Sequence, residues 1–137
     1  MIYTVTLNPS IDYVVQVNSL DLGAVNRAEK DMKFPGGKGI NVSRVLHRLG
    51  VENVALGFTG GFTGRFIKDV LQTEGVITNF IQVSEDTRIN VKIKGREETE
   101  LNGQGPSVTK EQFEQLMKQI ESMEQGDCVV LAGSVPA

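Results

Sequence analysis

Three glycines and a lysine fill positions 36–39 of the run Pro35-Gly36-Gly37-Lys38-Gly39-Ile40-Asn41-Val42-Ser43-Arg44. Glycine lets a backbone approach a ligand closely and adopt φ values that side chains disfavour. The apolar spacing becomes helical immediately afterwards, and a helix start offers free N–H groups and the positive end of a dipole to an anion. Lys38 adds a full charge there, and Asn41, three residues on, projects from the same face of the first turn. The run reads as a cradle for a phosphorylated or polar small molecule. It is not a Walker A loop: Gly39 stands where Ser or Thr must follow the lysine, and Met32 occupies the first glycine position. The Gly-x-Gly-x-x-Gly spacing of a dinucleotide site is also missing.

Other polar residues fall where a ligand could meet them. Asp12 follows the Pro9 turn, where a carboxylate either caps the turn or accepts hydrogen bonds from hydroxyls. Arg88 opens a β-branched segment and offers a bidentate fork to phosphate, or simply a solvated edge. Asn90 and Lys92 share its face, because strand side chains alternate with period two. Ser134 follows the last apolar strand, and open α/β sheets take ligands at the carboxyl ends of strands. It is not a nucleophile elbow, since Gly-x-Ser-x-Gly is absent. His47 lies mid-helix and is assigned no role. Cys128, in an apolar run, is expected to be a buried, inert thiol. One cysteine and one histidine leave no disulfide framework and no structural zinc set, so no metal ligands are assigned.

These residues need elements to position them. Strands are expected at 2–7, 12–17 and, more polar and flap-like, 26–33. Val42, Val45, Leu46 and Leu49 mark an amphipathic helix ending at Gly50. A strand over 53–58 precedes a turn at 60–64. A second helix then buries Phe66, Ile67, Val70 and Leu71 and stops at Gly75. Strands near 77–83 and 87–94 lead into a polar loop or short flap strand over 95–106. Thr109 and Gln112 form a capping box for a third helix, whose stripe is Phe113, Leu116, Met117 and Ile120. Glu114 and Lys118 are placed to pair on its wet face. The apolar strand 128–132 closes the pattern. Strands alternating with helices argue an α/β fold with a mainly parallel sheet.

Length and charge narrow the class. At 137 residues the chain can bury a real core, and no linker or repeat divides it. A net charge of −3 with scattered basic residues argues against a nucleic-acid partner. No apolar run approaches a membrane span and no signal segment opens the chain, so a cytoplasmic protein without a membrane partner is expected.

Five ordered blocks carry a resemblance across the whole chain. They are Thr6-Leu7-Asn8-Pro9-Ser10-Ile11-Asp12, Gly36 to Arg44, Gly57-Phe58-Thr59-Gly60-Gly61-Phe62-Thr63-Gly64, Thr87-Arg88-Ile89-Asn90-Val91-Lys92 and Ala132-Gly133-Ser134-Val135-Pro136. In order and spacing they resemble the ribokinase-like, PfkB-type family of sugar kinases. Within it, Thr99 to Pro106 pushes the likeness toward the bacterial 1-phosphofructokinases, with tagatose-6-phosphate kinases and family 6-phosphofructokinases as siblings. The resemblance implies a ribokinase-like α/β fold: a mainly parallel central sheet flanked by helices, with a small β flap as lid. It implies ATP and Mg²⁺ as cofactors and phosphoryl transfer to fructose 1-phosphate.

By that analogy Asp12 holds sugar hydroxyls. Gly36, Gly37, Lys38 and Asn41 line the substrate pocket, Arg88 and Asn90 form its other wall, and Ser134 its floor. Arg27 matches a flap position that in relatives reaches a partner subunit, which implies a homodimer through the flap. Family members are longer, and their second half carries a Gly-Ala-Gly-Asp type motif with the general base, the anion hole and most of the ATP pocket. Residues 1–137 contain no such motif. They are therefore expected to be the N-terminal part of the kinase domain, truncated before the C-terminal half, with no catalytic residue of their own and no activity in isolation. The reading from another class is a non-catalytic sugar-phosphate-binding module.

Overall fold

The computed structural model describes residues 1–136. In chain order the elements are β1 (Ile2–Thr6), β2 (Ser10–Gln16), β3 (Lys30–Gly36), α1 (Lys38–Arg48), β4 (Asn53–Gly60), α2 (Gly61–Glu74), β5 (Ile77–Thr78), β6 (Ile81–Val83), β7 (Arg88–Lys94), β8 (Glu98–Asn102), α3 (Lys110–Glu121) and β9 (Cys128–Leu131). The central sheet runs β5-β4-β1-β9, with β6 also on β4. Every pairing in it is parallel. A second sheet, β3-β2-β7-β8, stands off it as the flap. Its middle pair, β2 and β7, is parallel, and its outer pairs are antiparallel.

Alternation along β1 and β4 splits the core into two layers. Val5, Leu56 and Phe58 point to one face and pack with Ile81, Val83 and Leu116 of α3. Ala55 points to the other and packs with Ile40 of α1 and Ile67 and Leu71 of α2. Parallel strands sandwiched by helices bury both faces, which is why β4 is apolar or small from residue 54 onward. The outer flap is wet: Lys30 to Phe34 of β3 are all exposed. There the Tyr13 hydroxyl donates to Asp31 Oδ2 at 2.7 Å. That bond, helped by the charge of Lys33, holds the Asp31 carboxyl below its usual range.

Several expectations shift. The flap strand runs over 30–36, not 26–33, because it pairs with β2 from Gln16–Lys30 to Ser10–Gly36. The glycine run thus begins inside a strand. Residues 61–64 are the first turn of α2, with Gly60 as its uncapped N-cap, rather than a free turn. Of the two readings of 95–106, loop or short flap strand, the flap strand is present as β8.

The stripe assigned to α1 is only partly inward: Val45 is 51% and Leu49 72% exposed. The buried side of α1 is instead Gly39, Ile40 and Ser43. Small residues there let the helix press against β1, where Thr4 Oγ1 and Ser43 Oγ meet at 2.5 Å. In α3 only Leu116 is fully buried, while Phe113 and Met117 face outward. No ion pair joins Glu114 and Lys118 among those of the described residues. Cys128 is exposed, against expectation. Among the described residues β9 pairs with β1 alone, so an apolar run that reads as core lies at a sheet edge.

Candidate functional site

Where β1 ends, Leu7-Asn8-Pro9 turns the chain out of the central sheet and into the flap. The flap root, the β1 end and the start of α1 enclose a cleft of about 450 Å³. That size suits a small molecule. Thr6, Asn8 and Ser10 come from the turn, and Gly37, Lys38 and Asn41 from the start of α1. Asp12, Arg88, Asn90 and Lys92 come from the inner face of the flap, Glu100 and Asn102 from β8, and Gly133 and Ser134 from the loop after β9.

The local sequence explains the approach. Gly37, the N-cap of α1, has φ +114°, and a Cβ there would stand 2.6 Å from Thr6 Cγ2. Gly36 has no such backbone demand, but a Cβ on it would stand 2.5 Å from Asp12 Oδ1. Glycine at 36 therefore makes room for the Asp12 carboxylate across the β2–β3 pair. It is buried and does not line the cleft.

Charge is unevenly distributed. Lys38 is exposed at the positive end of α1 and has no ion-pair partner among the described residues. Arg88 is held from three sides: Nε donates to Asn8 O at 3.2 Å, Nη1 to Gly103 O at 3.3 Å and Nη2 to Ser134 Oγ at 3.4 Å. It joins the flap root to the turn and to two loops. Asp12 accepts from Ser10 Oγ at 2.8 Å and faces Lys92 Nζ at 3.6 Å. Asn90 Oδ1 accepts from the Gly103 N–H at 3.1 Å. Thr6 Oγ1 and Asn8 Oδ1 are buried without a hydrogen-bond partner. Such atoms cost free energy unless something bonds them. One end of the cleft, with Lys38, Arg88 and Ser134, suits an anion. The flap wall, with Asp12, Asn90 and Asn102, suits hydroxyls.

Asp12, Gly37, Lys38, Asn41, Arg88, Asn90 and Ser134 thus converge on one cleft from segments far apart in the chain. Arg27 does not: it is exposed in the segment between β2 and β3, outside the cleft. Sequence reasoning missed Thr6, Asn8, Ser10, Glu100 and Asn102 as lining residues. Period-two alternation from Asp12 points to Ser10. Glu100 and Asn102 lay in a segment read as loop or flap strand, with no register to place them.

The family model for pfkB family carbohydrate kinases matches residues 5–137. The chain belongs to the pfkB carbohydrate kinase family. It is 56% identical over 137 residues to a 1-phosphofructokinase of Bacillus subtilis, covering all of this chain and 45% of that protein. It is 40% identical to a D-tagatose-1-phosphate kinase of Bacillus licheniformis, covering 99% of this chain and 45% of that one. The fold superimposes on Escherichia coli phosphofructokinase-2 in complex with fructose-6-phosphate, with a TM-score of 0.92 and 30% identity, covering 98% of this chain and 46% of that one. The chain therefore spans about 45% of the length of the curated relatives it matches. The family fold is confirmed: a ribokinase-like α/β arrangement with a parallel central sheet and a β flap. No described helix is long and apolar enough to cross a membrane.

Proposed function

We propose that this chain supplies the acceptor-sugar site of a cytoplasmic, ATP-dependent sugar-phosphate kinase whose substrate is fructose 1-phosphate. The observation that carries the reading is the polarised cleft. An unpaired Lys38 at a helix start and Arg88 beside Ser134 can hold a phosphate, while Asp12 and Asn90 offer an oriented acceptor and amide to ring hydroxyls. The choice of fructose 1-phosphate rests on the likeness to the 1-phosphofructokinase.

In phosphoryl transfer the protein contributes mainly position and charge. This chain's share is to bind and orient the acceptor. Asp12 is already engaged by Ser10 and Lys92, so it fits a fixed hydrogen-bond acceptor better than a general base. ATP and Mg²⁺ belong to the reading by family. Among the described residues no group of three acidic, histidine or cysteine side chains could hold a metal.

The test is ADP release by the intact gene product with fructose 1-phosphate, fructose 6-phosphate and tagatose 6-phosphate. Fructose 1-phosphate should be preferred by kcat/KM, and Lys38→Ala should raise its KM about tenfold, as befits a lost charged contact. A preference for another sugar phosphate overturns the substrate. Fructose 1-phosphate binding without ADP release, in the intact product, favours the non-catalytic binding module.

A homodimer through the flap forms part of the same reading. It is supported by Leu101 and Ile89, apolar residues exposed on the outer flap face, and by the exposure of Arg27 in the segment between β2 and β3.

A further inference from the structure

Glu100 is the unexplained charge in the cleft. It sits on β8 directly opposite Lys92 of β7, so the two side chains share the inner face of the flap. Opposite charges at such a cross-strand position normally pair. Here Lys92 turns to Asp12 across the parallel β2–β7 pair, with Nζ 3.6 Å from Oδ2. Among the described residues Glu100 is left without a cation within 4 Å, although two residues along the strand Glu98 does pair with Lys94 at 3.9 Å. Its neighbour on that face, Asn102, lies opposite Asn90, and Asp12, Asn90, Lys92, Glu100 and Asn102 line the same cleft.

An unpaired carboxylate beside a bound phosphate lowers affinity unless it gains something from the ligand. A carboxylate is an acceptor only, with two oxygens open to hydroxyl donors. From this geometry we infer that Glu100 is a specificity-determining residue of the acceptor site. It accepts a hydrogen bond from a hydroxyl of the sugar phosphate, and its charge drives the phosphate to the opposite end, at Lys38, Arg88 and Ser134. Asp12 engages the Lys92 ammonium, which lowers the pull of the flap wall on a phosphate. The ligand class is a polyhydroxylated monophosphate, held with its hydroxyls toward β8. This rests on the sugar-phosphate reading above.

The alternative role of Glu100 is a solvated edge-strand charge of the kind that discourages sheet-to-sheet pairing. Calorimetric titration of the intact gene product separates the two. The probes are fructose 1-phosphate and, separately, inorganic phosphate, against wild type, Glu100→Gln and Glu100→Ala. Glu100 is exposed, so neither substitution disturbs a packed contact.

Loss of a hydrogen bond to a charged acceptor predicts that Glu100→Ala weakens fructose 1-phosphate about tenfold. Glu100→Gln should weaken it less, and inorganic phosphate should bind both variants at least as tightly as wild type. Fructose 1-phosphate binding that is unchanged or tighter in both variants overturns the role of Glu100 and leaves the sugar-phosphate site standing. Equal weakening of both ligands in Glu100→Ala also overturns it, because that marks damage to the cleft and not a hydroxyl contact. A wild-type protein that binds no fructose 1-phosphate overturns the site itself.

Discussion

Asp12 shows how a single residue depends on a diagonal neighbour on the adjacent strand. Its carboxylate occupies the space that a Cβ at Gly36 would need, while Ser10 and Lys92 hold it in place. Gly36→Ala should therefore leave the backbone intact and displace the carboxylate. Fructose 1-phosphate affinity should fall about tenfold, the scale of one charged hydrogen bond, with a urea-melt stability change under about 2 kcal/mol. Calorimetry beside the melt checks this, and unchanged affinity would show that Asp12 does not touch the ligand. At this scale the sequence was informative about residue type. Lys38, Asn41, Asp12, Arg88, Asn90 and Ser134 were legible from glycine spacing, strand alternation and family likeness, and they meet in one cleft. The three-sided hold on Arg88 was not legible, because its partners are backbone carbonyls of Asn8 and Gly103 and the hydroxyl of Ser134.

Elements were legible where their signals are local. The capping box of α3 is present in full: the Gln112 N–H donates to Thr109 Oγ1 at 3.2 Å, and the Thr109 N–H donates to Gln112 Oε1 at 2.9 Å. Thr109→Ala removes the side-chain acceptor and should cost about 1 kcal/mol. Thermal melts should show a fall of roughly 3–5 °C, with ligand affinity unchanged, since α3 stands outside the cleft. Gly75 likewise ends α2 in the left-handed conformation that glycine favours, with φ +93°. Legibility failed where pairing or packing decides. The flap strand moved to 30–36 because β2 sets its register. The buried side of α1 went to Gly39, Ile40 and Ser43, because small residues allow the closest approach to β1. Apolar periodicity marks a helix, but not which flank of its stripe the sheet will accept.

For the whole molecule, the outer flap face is the surface on which the proposed homodimer rests. Leu101 on that face is 62% exposed. The proposed flap homodimer predicts twice the chain mass in light scattering of the intact gene product. It also predicts that Leu101→Glu yields monomers, whereas a dimer that survives this substitution would overturn the flap interface.

The sequence by itself determined the fold class, the family and most of the residue types in the cleft. Periodicity, capping, glycine placement and ordered motifs are all written within a few residues of one another. Only the tertiary structure decided which of those residues meet. Lys92 turned to Asp12 and left Glu100 unpaired, and Gly36 proved to be room for a carboxylate. Those outcomes depend on strand register and on contacts between residues as many as 80 positions apart, as Asn8 and Arg88 are. Local patterns carry no information about either.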